Sequence, residues 1–241
     1  GPRGLYDIWY FAAQEDAIFL NGKLFARVEA IYGKRDTLTL DAESRHLVEF
    51  YHQRFVRAGA RLSEADKTTL KALNEQDAEL SAKYMTLLLA ATKDAALVVD
   101  DVKELDGLSK DEIDSAAAAA KARGFDGKWL IPLVNTTQHP MLPSLKNAAT
   151  REKLFLRSWL RTERGDENDT RKTVATLADL RARKAGLLGY PNFAAWTLED
   201  QMAKTPSAVE QFLARLIPPA TTNAQVEALS IMKLMHEQNA T

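Results

Sequence analysis

His236-Glu237 opens the pattern His-Glu-x-x-His, which sets two imidazoles on one helical face with a carboxylate between them as base. Position 240 is Ala, so the second imidazole is missing and the pair does not read as a zinc site. Glu43-x-x-His46-x-x-Glu49-x-x-His52 repeats Glu-x-x-His, the ligand unit of carboxylate-bridged di-metal bundles. Those bundles need the unit on two facing helices and a Glu from each of two others. Here both copies fall on one helix. A step of three drifts backwards by about 60° at 3.6 residues per turn, so the four side chains read as a solvated polar band. Cysteine is absent, which removes disulfides, thiolate metal sites and cysteine nucleophiles together. There is no Gly-x-Ser-x-Gly elbow and no glycine-rich phosphate loop. Asp100-Asp101 and Glu199-Asp200 read as solvent-facing or capping acids. The cluster Arg161-Thr162-Glu163-Arg164-Gly165-Asp166 reads as a salt-bridge corner between two helices. Trp129, Trp159, Trp196 and Tyr190 read as core anchors. No catalytic residue and no metal ligand is assigned.

The elements that would carry such residues are helical. The chain has 241 residues, with only 11 Gly and 8 Pro. Hydrophobic residues make up 46% and charged residues 27%, which is ordinary globular usage for one large domain or two small ones. Lys plus Arg is 32 against 33 for Asp plus Glu, a net charge of -1, which leaves no basic excess for nucleic acid. No apolar run reaches the roughly 20 residues that span a bilayer, so no membrane partner is expected. Gly1-Pro2-Arg3-Gly4 has no signal-peptide pattern and reads as a tag-cleavage remnant. The last residues stay in helical pattern with no stop signal, so the chain reads as cut at one end or both. Two classes remain from the residues alone: a helical interaction module, or the non-catalytic part of an enzyme.

Periodicity predicts a first helix from about Ile8 to Tyr32, interrupted at Asn21-Gly22 and stopped by Gly33. A second runs from Asp41, as N-cap, to Ala58, with Leu47, Val48, Phe50, Tyr51 and Phe55 as its apolar face. A third starts at Ser63, paired with Asp66 in a capping box, and runs to about Ala91; it is expected to pair with the second. Leu97-Val98-Val99 reads as a short strand. Ser109 and Glu112 frame a fourth helix ending at Gly124, with Leu108 stapled on Ile113. Trp129–Val134 reads as a second strand, restricted to an edge by Pro132. Asn135-Thr136-Thr137-Gln138-His139-Pro140 reads as a loop. Further helices are predicted over 147–164 and 166–188, the latter closed by Gly189, then a short one from Pro191 to Gln201. Thr205 caps the last helix with Pro206 at N1.

The local motifs follow one another in a recognisable order. Phe55-Val56-Arg57-Ala58-Gly59-Ala60-Arg61-Leu62, with Lys67 and Leu70, resembles a stretch of the M3 zinc peptidases. So do Leu97–Asp101 followed by Glu104-Leu105-x-Gly107-Leu108, Trp129–Gln138, and Thr150–Phe155. Arg164-Gly165-Asp166-x-Asn168-Asp169-Thr170 is close to the pattern of the dipeptidyl-carboxypeptidase type within that family. Leu187–Trp196 and Gln201–Pro206 complete the series. Gly4–Phe11 is unusually aromatic and departs from the pattern.

This resemblance implies a mainly α fold: the multi-helix amino-terminal lobe of an M3-type, neurolysin-like peptidase, with one small β element from Leu97–Val99 and Trp129–Val134. Residues 1–13 are expected to be a cloning remnant or a divergent end. Residues 14–241 would be the helical region, cut before the catalytic HExxH. In the complete enzyme the family implies one zinc ion held by two His of HExxH and a later Glu, with oligopeptides as substrates and dipeptides released from their carboxyl ends. None of those ligand positions exists in this chain, so no zinc is expected on it. Its implied partners are the oligopeptide substrate and the missing catalytic region. Asn135, Thr136, Thr137 and Gln138 are the candidate channel-wall residues, since an edge strand can offer backbone bonds to an extended peptide. A bacterial cytoplasmic or periplasmic location is expected. The alternative is a stand-alone helical interaction module.

Overall fold

The computed structural model describes residues 13–133 and 139–239. Expectations that fall on residues 1–12, 134–138, 240 and 241 lie outside the described residues, including the start of the first helix and the loop Asn135–Gln138. Among the described residues the fold is mainly α, with one two-stranded sheet. The chain divides into two compact units, one of Gly1–Ala17 and Lys71–Leu180, the other of Ile18–Leu70 and Arg181–Thr241.

The second unit begins in α1, helical over residues 13–19, and continues through α2 (Gly22–Gly33) and α3 (Ala42–Arg57). The predicted break at Asn21-Gly22 is present, because the Asn21 side chain caps α2 by accepting from the Leu24 N–H at 3.0 Å. Asp41 caps α3 the same way, accepting from the Ser44 N–H at 2.7 Å. α3 packs on α2. Phe19, Phe25, Phe55 and Ala60 form the core here, with Phe19 and Phe55 edge to face at 5.0 Å. Of the apolar face predicted for α3, only Phe55 is buried; Leu47, Phe50 and Tyr51 are each 46% exposed.

α4 (Glu64–Asp94) starts at Ser63, whose hydroxyl accepts from the Asp66 N–H at 3.1 Å and donates to the Asp66 carboxylate at 2.8 Å. Leu70 ends its share of the second unit, and the rest belongs to the first. There β1 (Leu97–Val99) pairs antiparallel with β2 (Trp129–Ile131), in the register Leu97 to Ile131 and Val99 to Trp129. β2 stops just before Pro132, which has no N–H to extend the ladder, so Pro132 and Leu133 fall outside the strand expected over Trp129–Val134, and Val134 lies outside the described residues. Strand alternation sends Leu97, Val99 and Ile131 into one cluster with Leu105, Leu145 and Leu154. Leu130 turns the other way, onto Ala96 and Ala120.

A 3-10 turn (Val102–Leu105) leads to α5 (Lys110–Ala122). Both halves of the predicted Ser109/Glu112 capping box are formed, and Leu108 and Ile113 pack in one cluster. Asn147 caps α6 (Ala148–Trp159). α7 (Arg171–Leu187) begins five residues later than expected. Asp166 and Asp169 capture the backbone N–H groups of Asn168 and Arg171 at 3.0 Å each, and these local bonds compete with helix. Arg164 and Asp166 do form the ion pair expected of this corner, at 2.5 Å.

Asn192 caps the short α8 (Phe193–Leu198), and Thr205 caps α9 (Pro206–Asn239), accepting from the Ala208 N–H at 3.2 Å. Pro218 and Pro219 lie inside α9, so neither can donate to the carbonyls of Ala214 and Arg215. Trp159 corrects the core-anchor expectation: it is 59% exposed and stacks on Phe155 at the surface. Among the described residues no helix is long and apolar enough to cross a membrane.

Candidate functional site

The candidate channel-wall residues Asn135, Thr136, Thr137 and Gln138 lie outside the described residues. The two ends of their loop are described. Pro132 and Leu133 follow β2 on one side of this segment, and His139 stands on the other. His139 Nε2 lies 3.0 Å from the Pro132 carbonyl oxygen. A carbonyl can only accept, so Nε2 carries the proton, and the neutral ring keeps its lone pair on Nδ1. His139 is 4% exposed, and Nδ1 has no partner among the described residues. This contact pins the base of the loop; the sequence showed His139 only as a loop residue.

The polar band on α3 separates as the helical drift requires. Glu43 and His46 are exposed, Glu49 sits 3.8 Å from Arg35, and His52 turns inward. His52 stacks on Tyr32 with ring centroids 3.6 Å apart, and Arg35 covers the Tyr32 ring at 4.1 Å. Among the described residues no group of three or more His, Asp or Glu is placed to hold a metal ion. The described residues thus offer no ligand set for the zinc that the family resemblance implies. Glu237 pairs loosely with Lys233 at 3.9 Å.

Both buried imidazoles carry a pH dependence. Burial holds His52 below its ordinary value, the charges of Arg61 and Arg35 push the same way, and Glu29 opposes them. Burial also lowers His139, against the opposing bond to Pro132. A lowered folded pKa means that the unfolded chain binds the proton more readily. Their contribution to stability is therefore complete above about pH 6.5, and it is lost as the pH falls through the folded values. The melting midpoint should fall between pH 7.5 and 5.5, and the double variant His52→Gln, His139→Gln should flatten that slope. An unchanged slope in the double variant would contradict this. Asp169 titrates in a separate, more acidic window, because the Arg171 guanidinium holds its carboxyl well below the usual range.

One polar assembly escaped the sequence reading. Arg57, at the end of α3, donates from Nη2 to the Trp196 carbonyl at 2.7 Å, and Trp196 Nε1 donates back to the Arg57 carbonyl at 3.2 Å. Arg57 Nε lies 3.0 Å from Glu199, and Nη1 is paired with Asp200. The Tyr190 hydroxyl donates to Glu199, and burial followed by that carboxylate pushes the phenol up to about 12. Glu199 and Asp200 are therefore neither plain solvent-facing acids nor caps; they neutralise a largely buried guanidinium. Arg57 and Trp196 both sat in motifs quoted above, but 139 positions separate them and no local signal links the two.

The second unit also holds an open apolar groove of about 350 Å³, lined by Ile18, Leu24, Ile31, Leu47 and Tyr51 above the Phe19–Phe55 pair.

Comparison with known proteins agrees with the motif order. Residues 141–241 match the model of Peptidase family M3. The chain is 50% identical over 221 residues to the Dipeptidyl carboxypeptidase of Escherichia coli (strain K12), covering 92% of this chain and 32% of that protein. It is 48% identical over 224 residues to the Dipeptidyl carboxypeptidase of Salmonella typhimurium, covering 93% of this chain and 33% of that protein. To Organellar oligopeptidase A of Arabidopsis thaliana it is 27% identical over 216 residues, covering 87% of this chain and 27% of that protein. The chain thus spans about a third of the length of these two carboxypeptidases.

Proposed function

We propose that this chain, a relative of the M3 peptidases, is the amino-terminal, non-catalytic part of a zinc-dependent peptidyl-dipeptidase that releases dipeptides from the carboxyl ends of oligopeptides. The observation that carries this reading is the 50% identity over 221 residues to a protein named for that activity. Identity to the oligopeptidase of Arabidopsis is 27%, which favours the carboxypeptidase type within the family. Residues 14–241 would form the helical region, with residues 1–13 a remnant or divergent end. Zinc would be held by residues of the complete enzyme that this chain does not contain. The location would be bacterial cytoplasm or periplasm.

In that enzyme the chain supplies one wall and the lid of the substrate channel. A peptidase limited to short, unstructured peptides works by steric exclusion, and closing a second lobe expels water from the site. The loop Asn135–Gln138 follows β2 and starts from a base fixed by the His139–Pro132 contact. Substituting Asn135 and Gln138 by Ala in the complete enzyme should change KM or peptide-length preference with the melting midpoint unchanged. Wild-type kinetics across peptides of several lengths would remove the loop from the channel.

A second reading, a stand-alone helical interaction module, draws on the open apolar groove of the second unit. The complete reading frame separates the two: a downstream HExxH supports the peptidase, and a frame closing soon after Thr241 supports the module.

A further inference from the structure

The groove in the second unit has two apolar walls and a basic edge. Leu24, Val28 and Ile31 repeat at i, i+4 and i+7 along α2, and Leu47, Tyr51 and Phe55 at i, i+4 and i+8 along α3. At 1.5 Å per residue each wall is about 10–12 Å long. No lining residue is charged, and Leu24, Ile31, Leu47 and Tyr51 are 38–47% exposed. Lys23 and Arg27 of α2 and Lys34 at its C-cap fall within about 40° of one another on the helical wheel, and Arg27 is about 40° from Ile31. All three are exposed, and none forms an ion pair among the described residues. Glu29, the one acid of α2, is held by Arg61 at 2.9 Å. On the α3 side Arg54 covers the Phe19 ring at 4.5 Å, and Glu43 lies about one turn before Leu47. The rim thus carries four cations against one carboxylate.

We infer that this groove docks an amphipathic helix of a partner protein, with apolar anchors at i, i+4 and i+7 and Asp or Glu along one flank. Three such anchors span seven residues, the length of the α2 wall. An acidic flank would lie beside Lys23, Arg27 and Lys34 and supply the negative charge that this edge lacks. A second copy of this chain fits less well, because a two-fold contact through the groove sets the basic rim against itself. A bilayer takes up apolar side chains that protrude from a surface, and these line a concavity. A small molecule is fixed by a few placed polar groups, and the lining offers only the Tyr51 hydroxyl.

The inference names a partner chemistry for the groove on which the interaction-module reading draws, and it stands whether or not the complete protein cleaves peptides. Random helical peptides of about four turns, displayed on phage, are selected on the 241-residue chain and counter-selected on its Leu47→Asp variant, with the fold of the variant checked by its melting midpoint. The selected peptides should carry apolar residues at i, i+4 and i+7 with Asp or Glu beside them. Arg27→Glu with Lys34→Glu should weaken the best of them by about tenfold at low salt, and high salt should remove most of that difference. Selected peptides with neutral or basic flanks would overturn the inference, as would a selection that yields none able to tell the chain from Leu47→Asp. So would loss of binding in the complete protein, which would make its own remaining segment the occupant. Dimerisation of the chain, or its binding to anionic phospholipid vesicles, would also overturn it if Leu47→Asp abolished either one, since the occupant would then be a second copy or a bilayer. None of these failures touches the reading-frame test of the peptidase.

Discussion

Gly107→Ala is expected to destabilise the first unit by about 3–5 kcal/mol. Gly107 has φ +98°, in the left-handed region that glycine alone adopts freely, and a Cβ there would stand 2.0 Å from the Ser144 carbonyl oxygen. That oxygen is backbone and cannot rotate aside. Its segment is strapped to the Gly107 turn by the Lys146 N–H donating to the Asp106 carbonyl at 2.8 Å. On either side of the turn Leu105 and Leu108 enter the same cluster as Leu145, so separating the two segments opens the core. Gly59 and Gly124 calibrate the effect. A Cβ at Gly59 meets only side-chain ends, those of Leu70, Leu62 and Leu188 at 2.8, 2.9 and 3.2 Å, which can swing away, and one at Gly124 meets nothing within 4 Å. Urea denaturation should rank the Ala variants Gly107 worst, then Gly59, then Gly124. A Gly107 variant no worse than the Gly124 variant would contradict the close approach.

Arg57→Ala should cost the second unit about 2–4 kcal/mol. The Arg57 side chain is 14% exposed, so its removal orphans the Trp196 carbonyl and leaves Glu199 and Asp200 without their common cation. Those acids are 40% and 43% exposed, so water screens them and the ion pairs contribute the smaller part. The larger part comes from the part-buried hydrogen bond to the Trp196 carbonyl and the packing of the guanidinium. Most of the loss should therefore persist in 1 M salt, and Arg57→Lys should recover only a fraction, since an ammonium cannot make the same fork of bonds. A loss that high salt erases would assign the effect to the ion pairs instead.

Local chemistry made much of this fold legible. Asp41, Ser109 and Thr205 each cap the helix that their position announced, the break expected at Asn21-Gly22 is present, and Leu97–Val99 is a strand over its whole predicted length. The misses have physical reasons. The helix expected over 166–188 starts only at Arg171, because the Asp166 and Asp169 carboxylates accept from nearby backbone N–H groups. The apolar residues of α3 fit helical periodicity, but periodicity does not say how much of a face finds a partner: Leu47 and Tyr51 line an open groove and Phe50 is exposed. Trp159 stays at the surface because its large apolar ring stacks on the neighbouring Phe155 ring and not on the core, which residue type alone does not reveal. Of the candidate site, the strand that leads into the loop was legible and the pin at its base was not, because His139 and Pro132 meet through a tertiary contact. The Arg57–Trp196 assembly is the extreme case of the same limit.

Dipeptide release is the most direct test of the central claim that this chain is the non-catalytic part of a carboxyl-end dipeptidase. The 241-residue chain and the complete protein are each incubated with zinc and an oligopeptide with a free carboxyl end, and the products are identified by mass. The complete protein should shorten the peptide two residues at a time from its carboxyl end, in a reaction that a chelator stops, and the chain alone should leave it intact. Chelator-sensitive dipeptide release by the chain alone would contradict the account, as would a complete protein that cleaves from the amino end or not at all.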